Sequence, residues 1–274
     1  MKIFNRILLI FALGYGCLSL IILMNILPQN QFYPFKHQWT LVWKDDFDGM
    51  RLNQAKWGAV DRGGGYNDYS SYQRESPAIS RKNVTVKDGY LILTSKREDW
   101  IGEDIFHPGQ TIAGQYTSSL VETNYNYPFG RFEIRAKLPA GPGLLPYASL
   151  YPDDEDPSQG ILIVGMLGAD PHTLYVNNSW GTAQLPFSLQ EDTGSRIYAP
   201  DYSAGFHVFA VEWEPRSIRW YVDGVKIDQT NRSIPGIPLS LKLGTSIDGA
   251  TANYSKNAPP KAFMVDWVRV YRRK

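Results

Sequence analysis

Four acids stand together at Asp153, Asp154, Glu155 and Asp156, and the next thirteen positions, 157–169, carry none before Asp170. Neighbouring carboxylates can attack a substrate or exchange protons with it, the work of a nucleophile and of a general acid or base. A run of four acids is more often a solvated turn, and that is the reading the cluster favours. Glu122 is a lone acid. Glu133 sits inside an alternating apolar and polar run, where a structural role fits. His37, His107, His172 and His207 are scattered without metal-ligand spacing. The one cysteine, Cys17, lies in an apolar stretch, which excludes an internal disulfide and a thiolate metal centre. Gly63-Gly64-Gly65 lacks the Lys-Ser/Thr pair of a phosphate loop and reads as a loop. Aromatic residues make up 14% of the chain, with 8 Trp and 17 Tyr, more than a core of this size needs. Such rings serve as platforms for sugar faces, as interface residues or as β-core. The formal net charge of +1 supplies no field to draw in nucleic acid.

The elements that must hold these residues are strands. Phe132-Glu133-Ile134-Arg135-Ala136-Lys137-Leu138 alternates as a half-buried strand does. Asp88-Gly89 and Asp223-Gly224 stand between apolar runs, the strongest short signal for a hairpin. Further strands are expected at 41–43, 84–86, 90–95, 130–138, 161–166, 173–178, 207–213, 217–222, 240–243 and 264–271. No helical period follows residue 35, and no internal repeat is present. Many short strands with turn punctuation predict an all-β domain, a two-sheet sandwich or jelly roll, over 39–274. Residues 29–38 read as a linker. Ahead of it, Lys2 and Arg6 precede an uncharged run at 7–27, long enough to cross a bilayer. Residues 1–28 are therefore expected to be a single-pass signal anchor, or else a cleaved signal peptide. Either places the domain outside the cytosol, lumenal, extracellular or secreted. Four acceptor sequons, at Asn83, Asn177, Asn231 and Asn253, agree with that placement.

Several segments together resemble glycoside hydrolase family 16, the laminarinase and lichenase family. They run from Leu41-Val42-Trp43-Lys44-Asp45-Asp46-Phe47-Asp48, through Gly63-Gly64-Gly65-Tyr66-Asn67 and Phe129-Gly130-Arg131-Phe132-Glu133, to Phe206-His207-Val208-Phe209-Ala210-Val211-Glu212-Trp213 and Met264-Val265-Asp266-Trp267. The resemblance covers roughly 39–272, in order. It implies a concanavalin-like jelly roll with a glycan cleft on the concave sheet, and a β-glucan or other polysaccharide as ligand. Members hydrolyse β-glucans with retention, through acids spaced Glu-x-Asp-x-Glu on one strand, sometimes with an extra bulged residue before the last.

Here the corresponding stretch is Gly160-Ile161-Leu162-Ile163-Val164-Gly165-Met166. Taking Gly160 as the residue before the motif, Ile161, Ile163 and Gly165 (or Met166, with a bulge) are expected at the acid positions. None of them can attack an anomeric carbon or deliver a proton. Two expected stacking tryptophans are also replaced, by Leu145 and Ser149. The resemblance assigns sugar contacts to Tyr66, Asn67, Arg131 and Trp180. No cofactor is required, but some members hold a structural Ca2+, for which Asp46, Gly89 and Asp266 are the matching positions. Trp213, Trp220 and Trp267 are expected to pack. Three functions follow as expectations. The first is carbohydrate recognition without catalysis. The second is a retaining β-glucanase or transglycosylase with acids relocated to Glu122 or the acidic turn. The third is a structural or adaptor protein with no glycan affinity.

Overall fold

Alternation along the chain becomes two-sidedness in the structure. A computed structural model describes residues 38–67, 74–104, 107–152, 159–180, 194–198, 201–247 and 260–274. Contacts divide the chain into a unit of Leu41–Arg273 and a small one of Met1–Thr40 with Lys274. The expected N-terminal anchor, the linker up to residue 37 and His37 lie outside the described residues. Among the described residues no helix is long and apolar enough to cross a membrane.

The strands in chain order are β1 (Trp39–Asp45), β2 (Trp57–Ala59), β3 (Gly65–Asn67), β4 (Arg74–Ser76), β5 (Ala78–Ile79), β6 (Val84–Lys87), β7 (Tyr90–Glu103), β8 (Thr111–Tyr127), β9 (Gly130–Lys137), β10 (Leu144–Tyr151), β11 (Gln159–Met166), β12 (Thr173–Trp180), β13 (Gly194–Tyr198), β14 (His207–Glu214), β15 (Ser217–Val222), β16 (Val225–Thr230), β17 (Leu239–Ile247) and β18 (Lys261–Arg273). One hydrogen-bonded path runs β13-β12-β11-β10-β17-β8-β7-β18-β9-β14-β15-β16. It makes an all-β jelly-roll sandwich because β7 and β8 each serve two sheets. Leu91–Ser95 of β7 pair with β18, whereas Lys96–Glu103 pair with β8. In turn, Ser119–Tyr127 of β8 pair with β17.

Each half contributes one apolar face to a common core. On β9, Phe132, Ile134 and Ala136 are fully buried in it, facing Leu150, Ile161, Leu241 and Leu243 from the other half. Each fully buried tryptophan finds an acceptor for its indole N–H: Trp57 on Asp45 Oδ2 at 2.9 Å, Trp213 on the Pro235 carbonyl at 3.1 Å and Trp220 on the Leu162 carbonyl at 2.9 Å. Trp213 and Trp220 are thus packing residues, as expected. Trp267 is half-buried on the outside, with the Arg269 guanidinium 4.0 Å from its ring centroid. Both Asp-Gly pairs form hairpin turns with positive φ at both residues, 54° and 79° at Asp88-Gly89 and 48° and 81° at Asp223-Gly224. That geometry matches the twist of the strands they join.

Candidate functional site

Directly opposed residues in antiparallel strands share a face, so cross-strand register identifies what the outside of the β10–β11 sheet presents. Ser149 of β10 opposes Leu162 of β11, which opposes Asn177 of β12. On its other side Ser149 opposes Lys242 of β17, which opposes Glu122 of β8. The adjacent row is Tyr175, Gly165, Tyr147, Gly244 and Leu120. Tyr147, Leu162 and Leu120 cluster together, with Tyr175, Val60 and Ile79 against them, apart from the central core.

A β-bulge sets this pattern. Leu162 pairs with Ser149 and Val164 with Ala148, so Ile163 is an extra residue on β11. Against β12 the register steps from Leu162–Asn177 to Gly165–Tyr175. Ile163 and Val164 both turn into the core. The outward positions are therefore Gly160, Leu162 and Gly165, spaced by two and then by three. The Trp220 indole holds the bulge from the other sheet through the Leu162 carbonyl. Tyrosine rings cover the glycines. A Cβ on Gly160 would meet the Tyr151 ring at 2.6–2.9 Å, and one on Gly244 would meet Tyr147 at 2.7–3.0 Å. β10 and β11 contain no carboxylate. The nearest acid in these rows, Glu122, is ion-paired to the largely buried Lys242 at 3.1 Å.

Residues 72–269 match the family described as Glycosyl hydrolases family 16. This chain belongs to glycosyl hydrolase family 16. It is 29% identical over 281 residues to a protein named Beta-glucanase from Rhodothermus marinus, covering 93% of this chain and 92% of that one. It is 31% identical over 200 residues to a Glucan endo-1,3-beta-glucosidase from Cryptopygus antarcticus, covering 70% of each. The X-ray structure of the laminarinase from Rhodothermus marinus superposes with a TM-score of 0.70 at 27% identity, over 86% of this chain and 98% of that one.

Set beside the family 16 expectations, the structure moves several residues. Ile161, Ile163 and Met166 do not floor a cleft: all three side chains lie in the core between the sheets. Only Gly165 of the expected positions is on the outer face. The register expected from Gly160 is off by one residue, and one residue exchanges the two faces of a strand. Arg131 does not reach a glycan site. It is on β9, 3% exposed, on the outer face of the opposite sheet. There its guanidinium bonds Glu133 Oε1 and Glu212 Oε1, each at 2.9 Å. Burial opposes its charge, but Glu133 and then Glu212 outweigh burial and push it above the ordinary arginine range. Glu133 is the structural residue expected. Tyr66 and Asn67 lie on β3, paired with β4, and Trp180 ends β12; their side chains lie outside the described residues. The acidic turn at 153–156 also lies outside them.

The Ca2+ positions do not fit a cation. Asp266 pairs with Arg135, and Asp46 with Lys44 and Arg269. Gly89 occupies the β6–β7 turn. No group of three or more His, Cys, Asp or Glu suited to a metal occurs among the described residues. Of the sequons, Asn231 is exposed, Asn177 is half-buried on β12 and Asn253 lies outside the described residues. Asn83 is corrected: it is 1% exposed and its amide donates to Thr117 Oγ1 and the Ser118 carbonyl, so no glycan fits there in the folded domain. His207 belongs to β14 and pairs with Asp223 at 2.8 Å.

Lys242 and the tyrosines 147, 151 and 175 escaped the sequence reading. The alternation Tyr147-Ala148-Ser149-Leu150-Tyr151 is the signal that marks Tyr147 and Tyr151, since it puts both and Ser149 on one face.

Proposed function

We propose that this family 16 domain binds a β-glucan-type polysaccharide on the outer face of β10–β12 without hydrolysing it. The observation that carries the reading is the trio Gly160, Leu162 and Gly165. Its spacing, two residues and then three across a bulge, is that of the bulged family motif, and it faces outward as a catalytic trio must. Retaining hydrolysis needs two carboxylates about 5–5.5 Å apart. This strand offers none, and the Tyr151 ring stands where the first would be. What the face does offer is ring surface, a serine, a half-buried asparagine and one lysine–glutamate pair, groups that hold sugars by stacking and hydrogen bonding. The segment at 7–27 tethers or exports this domain, so that it meets polysaccharide outside the cytosol.

The names of the relatives favour a second reading, hydrolysis by acids placed elsewhere. Glu122 is held by Lys242, and Glu133 and Glu212 share Arg131 on the other sheet. Of the acids weighed for that role, the turn at 153–156 is left, and it lies outside the described residues.

The full chain, purified in mild detergent, is tested for retention on immobilised laminarin and for reducing-end release over a long incubation. The comparison is a variant carrying Gly160→Glu, Leu162→Asp, Gly165→Glu and Tyr151→Leu. The expected result is retention without release by the natural chain, and release gained by the variant. The same carboxylates with Tyr151 kept should gain nothing, because the ring occupies the place of the new side chain. Release by the natural chain that persists through repurification rejects the non-catalytic reading.

A further inference from the structure

Beyond Ser95, β7 pairs with β8 alone, and the far end of this ribbon, Trp100–Glu103 against Thr111–Gly114, adds no third strand among the described residues. Its pairing steps from Arg97–Tyr116 to Trp100–Gly114, with the extra residue on β7. Trp100 and Gly102 therefore share a face with Gly114 and Ile112. Alternation along β8 carries that face back to Leu120 and Glu122, which stand in the rows running out from β10–β12.

Trp100 is set unlike the tryptophans of the core. Opposite edges of its indole rest on glycines of two strands. A Cβ on Gly114 would meet Nε1, Cε2 and Cζ2 at 2.4–2.7 Å, and one on Gly102 would meet Cζ3 and Cε3 at 3.3–3.5 Å. The ring therefore lies along the ribbon instead of standing up from it. It is half-buried, yet it belongs to none of the apolar clusters of the described residues. Its N–H has no hydrogen-bond partner among them, whereas those of Trp57, Trp213 and Trp220 each have one. Burying an unpaired donor is unfavourable, and phenylalanine would cover the same glycines without that penalty. What tryptophan adds is ring area. Beside it Lys96 pairs with Glu98 at 2.8 Å, and Arg97 donates to Gln115 Oε1 at 3.0 Å. The glycine loop touches the ribbon next to the ring: a Cβ on Gly63 would meet the Glu103 carbonyl oxygen at 1.9 Å. That loop leads into β3, where the family resemblance puts sugar contacts at Tyr66 and Asn67.

We infer that the Trp100 indole is a platform on which one pyranose of a neutral β-glucan stacks, a distal subsite for the chain held on the β10–β12 face. The C–H face of a pyranose matches a lone aromatic plate, and its hydroxyl rim stays in water. A partner protein or a lipid surface needs contiguous apolar area, which one ring bordered by glycines and paired polar groups does not give. Ile101 is 80% exposed, but alternation turns it to the opposite face of the ribbon. Gly114 lies about 20 Å along β8 from Leu120, so a long glucan reaches both places and a short oligosaccharide only one. The choice of glucan rests on the reading of the β10–β12 face.

Isothermal titration of the full chain, in mild detergent, with laminarin and with laminaritriose separates the two sites. Trp100→Ala should weaken laminarin about fivefold, the order of one aromatic contact, and leave laminaritriose on the β10–β12 face unchanged. Gly114→Ala keeps the indole but pushes it off the ribbon, and should weaken laminarin as well. Affinities are compared per folded molecule, with melting curves for each variant. A lowered melting temperature with laminarin affinity unchanged makes Trp100 a packing residue and overturns the inference. Laminarin binding insensitive to Trp100→Ala and lost with Tyr147→Ala overturns it too, while sparing the β10–β12 reading. Both ligands weakened alike by Trp100→Ala and by Tyr147→Ala would mean a single site, which rejects a distal subsite. Laminarin held through Trp100 and indifferent to Tyr147→Ala would sink the β10–β12 reading and keep this one. No binding of laminarin by the natural chain rejects both.

Discussion

The two sheets of this domain turn opposite characters outward. The face built on β9, β14, β15 and β18 is a lattice of charges. Arg131 bridges Glu133 and Glu212, Arg219 joins Glu212 to Glu214, Arg273 pairs with Glu214, and the hydroxyls of Tyr221 and Tyr271 donate to Glu212 and Glu133. The face built on β10 and β11 has glycines under tyrosine rings and no acid at all. Carboxylates are therefore plentiful in this chain, but each buried one in the β9–β14 lattice is committed to an arginine. A glutamate between guanidiniums holds strands in register and has no freedom to attack. Counting acids says little about catalysis, and asking which face they occupy says much.

The contrast can be broken from the charged side first. Arg131→Met should leave Glu133 buried without this cation and Glu212 with Arg219 alone, at a cost of about 3–5 kcal/mol. A fall in melting temperature with laminarin affinity unchanged per folded molecule is the expected pattern. An affinity loss in the folded fraction would return Arg131 to a sugar-binding role.

The same lattice predicts an alkaline limit. Burial, and then the bond to Glu212, raises the Tyr221 hydroxyl to about 12. Burial, and then Asp223, raises Tyr202 to about 12. Both favour the protonated form in the fold. Their contribution is complete below the unfolded value near 10 and is lost as pH rises from there through about 12. Tyrosinate absorbance and loss of ellipticity should therefore rise together in that window. A tyrosinate signal lost on Tyr202→Phe or Tyr221→Phe, seen while the fold is intact, would show that these hydroxyls are not buried as described.

Where the faces are tied together, the effect should be smaller. Trp220→Phe keeps the ring in the core but strands the Leu162 carbonyl, costing about 1–3 kcal/mol. Denaturant titration measures it; an unchanged midpoint would mean the bulge needs no support from the opposite sheet. Smallest of all, Glu122→Gln removes one partner of a partly exposed pair and should shift stability by less than about 1 kcal/mol. It would also abolish any slow glucan release that depended on Glu122 as a relocated acid.

Much of the fold was readable from sequence because its signals are local. Phe132, Ile134 and Ala136 alternate with Arg131, Glu133 and Arg135, and the strand forms with those two faces. Asp88-Gly89 and Asp223-Gly224 turn where they must. The site was less readable because its signals are relational. Ile161, Leu162 and Ile163 are all apolar, so nothing in the residues themselves says which points outward. The answer comes from Ser149 and Tyr147 on the neighbouring strand, together with an extra residue at Ile163 that local patterning does not reveal. Lys242 acquires its meaning only when β17 is laid between β10 and β8.

The passage of β7 and β8 from one sheet to the other has a kinetic consequence. Neither layer can detach as a folding unit, because opening one pulls apart strands that the other is using. Unfolding of Leu41–Arg273 should be a single transition with no half-sandwich along the way. The contacts that close the structure are remote in sequence. The Ser95 hydroxyl, near the point where β7 changes sheets, donates to Thr245 Oγ1 across 150 positions of chain, at 3.0 Å. A nascent chain must therefore be nearly complete before its two layers can lock, and a fold dominated by such distant pairings forms slowly.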